Sequence, residues 1–191
     1  EKDALNLAKA LSLGGINIME ITLRTEAGLK AIEIISKELP SMNVGAGTVC
    51  NKIDLIKAKN AGAKFVFSPG ISEELINSAK EEEMVLIPGV STASEVMLAM
   101  NNDLKYCKLF PAVLSGGVEI LKAFSGPFSS MRFCPTGGVS LKNMNDFLDL
   151  ENVLCIGGTW IVPKNEIKSG NFEEITKLCK EALNNIKGKN D

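Results

Sequence analysis

Lys108 lies in the segment YCKLFPA (residues 106–112), inside a short apolar run that ends at a proline. A lysine head group normally stays in water, because burying its charge is costly unless the charge is paired or neutralised. Burial favours the neutral amine, which is a nucleophile that attacks a ketone to give a Schiff base. The alternative is a structural lysine with a buried stem, whose amine reaches the rim of the fold.

Two further ionisable residues lie in the segment IMEITLRTEAG (residues 18–28). Glu20 is flanked by apolar residues in a strand-like run, where a carboxylate needs a cation or must stay protonated. Lys108 is a candidate partner across the fold, and a purely structural Glu–Lys pair is the alternative. Arg24 follows at the strand end, where a guanidinium can bind a carboxylate through two parallel hydrogen bonds. A surface arginine without a ligand is the other interpretation.

Two glycine pairs follow late strand-like runs, in PTGGVS (residues 135–140) and IGGTW (residues 156–160). Glycines let backbone N–H groups approach an anion closely, and a helix that starts nearby adds a positive dipole. Ordinary glycine turns are the alternative, but two such pairs favour a phosphate site. No nucleotide-binding glycine motif is present, so we expect no nucleotide.

Composition excludes several classes of function. The 191 residues contain no histidine, which removes histidine-based triads, histidine general bases and most catalytic zinc sites. The net charge of -2 argues against a nucleic-acid partner, and no apolar run approaches the roughly 20 residues that span a membrane. Five cysteines without a C-x-x-C spacing indicate reduced, buried thiols in a cytoplasmic protein.

Seven short apolar runs, many of which end at Gly or Pro, predict the strands that position these residues. They are residues 16–22, 43–47, 64–68, 84–87, 105–110, 131–135 and 153–156. Amphipathic segments predict helices between or around them at residues 3–13, 26–38, 72–82 and 172–187. Continuous apolar strands in repeated βα units indicate a parallel sheet covered by helices.

No linker divides the chain, so we expect one domain over residues 1–191. The favoured α/β architecture is a (β/α)8 TIM barrel, which needs eight strands, with the site at their carboxyl ends. The first strand is then missing from this sequence, and we expect it before Glu1 in the natural protein. An open, doubly wound sheet is the alternative, because it requires no further strand.

Many segments together resemble the 2-keto-3-deoxy-6-phosphogluconate (KDPG) and 4-hydroxy-2-oxoglutarate (KHG) aldolase family. The resemblance covers almost the whole chain, in GGINIMEITLRT, VGAGTV, FSPG, LIPGVSTASE, KLFPA, GPF, RFCPTGGVS and IGGTWIVP. It implies a metal-independent class I aldolase that uses no cofactor, folds as a barrel and assembles as a homotrimer. The implied partner is a small 2-oxo acid that carries a phosphate.

The resemblance also implies a role for each matching residue. Lys108 corresponds to the Schiff-base lysine, Glu20 to the proton shuttle and Arg24 to the carboxylate clamp. The remaining substrate-binding positions line the pyruvate end of the pocket or the phosphate loops. They are Thr48, Pro69, Phe110, Thr136, Gly137, Gly138, Gly158 and Thr159. Thr159 departs from the family, where a serine often stands, but keeps the hydroxyl donor.

The expected reaction is cleavage of KDPG to pyruvate and glyceraldehyde 3-phosphate, a step of the Entner–Doudoroff pathway in this family. Cleavage of KHG to pyruvate and glyoxylate is a second expected activity. Two other classes stay open: a barrel isomerase or synthase of sugar phosphates, and a non-catalytic sugar-phosphate binder or assembly subunit. Neither of them needs a reactive amine at Lys108.

Overall fold

A computed structural model of the chain describes residues 3–186. The strands are β1 (Ile18–Thr22), β2 (Asn43–Gly47), β3 (Phe65–Phe67), β4 (Val85–Ile87), β5 (Gly89–Val90), β6 (Tyr106–Leu109) and β7 (Arg132–Pro135). The helices are α1 (Ala4–Leu13), α2 (Glu26–Glu38), α3 (Lys52–Asn60), α4 (Glu73–Glu81), α5 (Ala93–Asn101), α6 (Gly117–Ser125), α7 (Met144–Leu148), α8 (Lys164–Ser169) and α9 (Phe172–Asn184).

Every strand pair is parallel, and the strands follow one another in chain order. One sheet has the order β1-β2-β3-β4, and the other has the order β5-β6-β7. Only Pro88 separates β4 from β5, and its carbonyl accepts a 2.8 Å hydrogen bond from the Lys108 N–H. The predicted α/β class with parallel strands is therefore confirmed.

The predicted strand at residues 153–156 is wrong as a regular strand. This segment makes two isolated parallel bridges, from Val153 to Phe133 and from Gly157 to Thr136. Three residues (154–156) separate the two bridge positions in this segment, but only two residues (134 and 135) separate them on the neighbouring β7 side. The mismatch of one residue prevents a continuous ladder, although the segment still lies beside β7.

The four predicted helices are present at nearly the expected bounds. Two of them begin one residue later than predicted, at Ala4 and Glu73, and the last one ends at Asn184. Lys187, the predicted end of that helix, lies outside the described residues. Side-chain caps explain several helix starts: Ser72 accepts a hydrogen bond from Leu75 N–H, and Thr92 forms a reciprocal capping box with Glu95.

The two faces of the strands have different neighbours. In β2, Val44 and Ala46 are fully buried in an apolar cluster that also contains Ile32 and Ile35 of α2. Side chains alternate along a strand, so the other face of β2 points away from this helix layer. Apart from Asn43 at its start, its residues there are glycines, and the site described below occupies this face.

The expectation of five buried thiols holds only in part. Cys107, Cys134 and Cys179 are buried, whereas Cys50 and Cys155 are exposed, and all five are free. Burial raises the pKa of Cys107 to about 12, so this residue stays a thiol at neutral pH. Within residues 3–186, no helix has both the length and the apolar character needed to cross a membrane.

Candidate active site

Lys108 and Glu20 meet across the interior, although they lie on strands that are not neighbours. Lys108 Nζ, near the carboxyl end of β6, lies 3.5 Å from Glu20 Oε2 on β1. Lys108 is only 7% exposed, and the Glu20 side chain is 24% exposed. Each residue thus supplies the charge partner that the other needs when it is withdrawn from water.

Two aromatic rings complete the surroundings of the Lys108 amine. Its Nζ lies 5.1 Å from the ring centroid of Phe67 on β3 and 5.2 Å from that of Phe110. Ring faces at this distance attract an ammonium and keep water away from a neutral amine. The predicted pocket residue Phe110 is therefore in direct contact range of Lys108.

Cys134 is the other nucleophilic side chain beside this amine. It is the register partner of Lys108 on β7, so both side chains leave the sheet on the same face. A hydrogen bond with Cys155, together with burial, raises the pKa of the Cys134 thiol. Cys134 therefore stays neutral, and the lysine amine is the nucleophile that the site offers.

The other predicted pyruvate-end residues lie at the carboxyl ends of their strands. Thr48 directly follows β2 and holds a φ of +61°, a conformation that is costly for a β-branched residue and is concentrated at functional sites. Pro69 lies against Gly89, the register partner of Lys108, because a Cβ atom at Gly89 would overlap the Pro69 carbonyl. Arg24 is exposed just beyond the end of β1.

The two glycine loops lie side by side at the same end of the strands, because the bridge from Thr136 to Gly157 joins them. Gly137 and Gly138 have φ values of +99° and +83°, which explains why glycine is needed there. Within residues 3–186, the N–H groups of three loop residues donate no backbone hydrogen bond. They are Gly138, Gly158 and Thr159. Free N–H donors in adjoining loops suit an anion such as phosphate.

The described part of the chain contains no group of three or more His, Cys, Asp or Glu side chains arranged to hold a metal ion. The chemistry that the geometry offers is that of an amine beside a carboxylate. Such a pair can form an imine with a ketone and move a proton next to it.

The model of the KDPG and KHG aldolase family matches residues 1–178 of the chain. The chain belongs to this family. The KHG/KDPG aldolase of Escherichia coli K12 is 50% identical over 184 residues, which are 96% of this chain and 86% of that protein.

Solved structures of this aldolase family agree with the assignment. The KDPG aldolase of Legionella pneumophila, with pyruvate captured as a covalent carbinolamine intermediate, is 44% identical with a TM-score of 0.93. The match covers 95% of this chain and 88% of that one. The enzyme of Zymomonas mobilis ZM4, with 3-phosphoglycerate, is 42% identical with a TM-score of 0.88, and the match covers 95% of this chain and 85% of that one.

The sequence analysis did not single out two residues that lie beside the Lys108–Glu20 pair. Phe67 was assigned only to a buried strand, although its ring faces Lys108. Gly47 was seen only as part of a strand, although the Glu20 carboxyl group lies against it. A signal for Phe67 was present, since it stands next to the loop that contains Pro69 at the carboxyl end of its strand.

Proposed function

We propose that this protein cleaves KDPG to pyruvate and glyceraldehyde 3-phosphate through a Schiff base on Lys108. The observation that carries the proposal is the approach of Lys108 Nζ to Glu20 Oε2, at 3.5 Å, in a site walled by aromatic rings. Membership of the aldolase family and the carbinolamine captured in the Legionella pneumophila enzyme support it. Cleavage of KHG to pyruvate and glyoxylate is proposed as a second activity, since the Escherichia coli relative has both names.

Lys108 acts as the nucleophile. Its neutral amine adds to C2 of the 2-oxo acid, and loss of water from the carbinolamine leaves an iminium. The iminium accepts the electron pair when the bond between C3 and C4 breaks. The aldehyde leaves, the enamine is protonated at C3, and hydrolysis then releases pyruvate and restores the amine.

Glu20 carries the protons of this sequence. It takes the proton from the C4 hydroxyl as the bond breaks, which a carboxylate beside the imine nitrogen is placed to do. Its position beside Lys108 supports this role, and its partial exposure lets the proton reach solvent. Arg24, at the end of β1, binds the substrate carboxylate and so orients C2 toward the amine.

The remaining substrate contacts are assigned by their place at the carboxyl ends of the strands. Thr48, Pro69, Phe110 and Thr136 line the pyruvate end, where the chain after β2, β3, β6 and β7 converges. The phosphate of KDPG binds the free N–H groups of the two glycine loops, with Thr159 adding its hydroxyl. These loops adjoin each other at the carboxyl ends of the strands, the same end as Lys108. This position supports a substrate that extends from the amine to the loops.

We also propose that the two sheets are arcs of one (β/α)8 barrel. Glu20 on β1 and Lys108 on β6 approach within 3.5 Å, although these strands belong to different sheets and four strands lie between them along the chain. A flat sheet with strands spaced about 4.8 Å apart would hold them much farther apart. Strands that curl around the site, as in a barrel, would bring the two side chains together, which supports this proposal.

A homotrimer is the assembly proposed for the chain. Large apolar side chains are exposed on it, including Leu114 at 87% exposure, and association would cover surface of this kind. Light scattering on purified protein tests the assembly: a mass three times that of the chain is expected, and a monomer would contradict it.

The Schiff base is tested by incubating the protein with pyruvate and borohydride. One three-carbon adduct per chain is expected, and peptide mapping is expected to place it on YCKLFPA, because Lys108 is the buried amine of this site. A coupled assay of pyruvate release from KDPG is run on the same sample. An adduct on another lysine, or turnover without any adduct, would contradict the mechanism.

A further inference from the structure

Gly47 ends β2, and the Glu20 carboxyl group lies directly against its α-carbon. A Cβ atom added at Gly47 would overlap Oε1 and Cδ of Glu20 and would lie 2.7 Å from Cγ. Real Cβ atoms essentially never come within 3.0 Å of a heavy atom of a residue that is not their chain neighbour. No side chain therefore fits at position 47 while Glu20 keeps the position that brings it to Lys108.

The backbone at Gly47 does not itself require glycine. Its φ lies outside the left-handed region, unlike the φ of Gly137 and Gly138. It continues the regular ladder with Thr22, and its carbonyl accepts a 3.0 Å hydrogen bond from Leu23 N–H. Space for the carboxyl group, and not a backbone torsion, is what a larger residue would remove here.

We propose that Gly47 is a positioning residue for the proton transfer: its missing side chain lets the Glu20 carboxyl group lie on the backbone of β2, beside Lys108 Nζ. The inference rests on the proposed function, in which Glu20 carries the proton. A methyl group at position 47 would push the carboxyl group aside. Glu20 is part exposed, so it has room to turn toward solvent, away from the amine.

Gly45 shows what a glycine on the same face does when it has only a packing role. It lies two residues earlier on β2, and a Cβ atom there would overlap the ring of Phe65. A methyl group at Gly45 thus disturbs an apolar contact, and its effect should appear in stability. A methyl group at Gly47 disturbs the proton carrier, and its effect should appear in kcat.

The test is a double-mutant cycle between Gly47→Ala and Glu20→Gln, with kcat and KM measured for KDPG cleavage. Gly47→Ala alone is expected to lower kcat about 100-fold, because correctly placed acid–base groups contribute about 10²–10⁴-fold. In the Glu20→Gln background, the same substitution is expected to change kcat less than about twofold, because no proton carrier is left to displace. Gly126→Ala, where an added Cβ meets nothing within 4 Å, is the control for the substitution itself.

Equal loss of kcat in both backgrounds, or a wild-type kcat for Gly47→Ala, would overturn the inference. If Glu20→Gln alone keeps wild-type kcat, the proposed role of Glu20 fails, and this inference fails with it, while cleavage through Lys108 is tested separately by pyruvate trapping. If Glu20→Gln is impaired and Gly47→Ala is not, only the inference fails. If Gly47→Ala does not fold, the double variant Gly47→Ala/Glu20→Ala is tested for folding instead. Recovery of folding would support the overlap between the added methyl group and Glu20, and continued unfolding would overturn the inference.

Discussion

Two lysines at opposite ends of the parallel strands have opposite environments. Lys64 immediately precedes β3, is exposed, and donates 3.1 Å hydrogen bonds to Pro40 O and Asn43 Oδ1. Lys108 lies near the carboxyl end of β6, is 7% exposed, and has a carboxylate and two ring faces as neighbours. The Lys64 amine is solvated and hydrogen-bonds two loop residues, whereas the Lys108 amine is buried.

The difference follows from the direction of the strands and not from the residue type. At the amino ends, the chain arrives from a helix, and a lysine there reaches backbone and amide oxygens of the neighbouring connection. At the carboxyl ends, all connections leave toward the next helix and their first residues converge, which is where α/β proteins place their ligands. The same amine is therefore structural at one end and a candidate nucleophile at the other.

The largest difference between the two ends is expected when each lysine is replaced by arginine. Lys108→Arg should lower kcat for KDPG cleavage at least about 10⁴-fold and abolish pyruvate trapping, because arginine supplies no neutral amine. Lys64→Arg should leave both unchanged, since a guanidinium can make the same contacts in water. Coupled pyruvate release and intact mass after borohydride measure the two effects. Activity that survives in Lys108→Arg would contradict the assignment of the nucleophile.

Glu20→Gln sharpens the comparison at the carboxyl end by removing the charge and keeping the shape. We expect kcat to fall about 10²–10⁴-fold, because the proton carrier is lost while the amine remains. Slow trapping of pyruvate on Lys108 should persist, which separates this variant from Lys108→Arg. Time courses of adduct formation by mass spectrometry measure it. Loss of trapping as complete as in Lys108→Arg would show that imine formation itself requires Glu20, which contradicts this prediction.

The sequence predicts the pair that defines the site because its signal is local. Glu20 and Lys108 each interrupt an apolar run near the carboxyl end of a strand, and a buried charge needs a partner. Phe67 and Gly47 do not interrupt an apolar run in this way: one is an ordinary apolar residue, and the other is an ordinary strand glycine. Their roles depend on which side chain reaches them from another strand, and this is set by how the strands pack together.

The same distinction holds for the fold. The repeated βα pattern predicts parallel strands, since continuous apolar runs between helices are what a covered sheet requires. The predicted run at residues 84–87 contains only β4, so β5, which follows Pro88, was not predicted, and the segment after β7 forms only bridges. Both irregularities depend on register between neighbouring strands, which a single sequence does not specify.

The glycine loops provide a third comparison, between phosphorylated and unphosphorylated substrates. We expect kcat/KM to be about 100-fold higher for KDPG than for KHG, equivalent to roughly 3 kcal/mol of transition-state binding. Gly138→Ala should lower kcat/KM for KDPG more than for KHG, because a φ of +83° disfavours a side chain and an added Cβ atom would lie 2.7 Å from Val113 Cγ2. Steady-state kinetics on both substrates measure this. Equal efficiencies would remove the phosphate assignment and leave the aldolase intact.

The smallest effect is expected at the amino end. Lys64→Met keeps the aliphatic stem and removes the two hydrogen bonds to Pro40 O and Asn43 Oδ1, which are exposed. Exposed bonds of this kind contribute about 1 kcal/mol or less, since water replaces the lost partner. For a chain of this size we expect the thermal midpoint to fall by no more than about 2–4 °C, with kcat and pyruvate trapping unchanged. Thermal unfolding followed by circular dichroism, beside the coupled assay, gives both values. A large loss of kcat without a change in the midpoint would mean that the amino ends of the strands also take part in the chemistry.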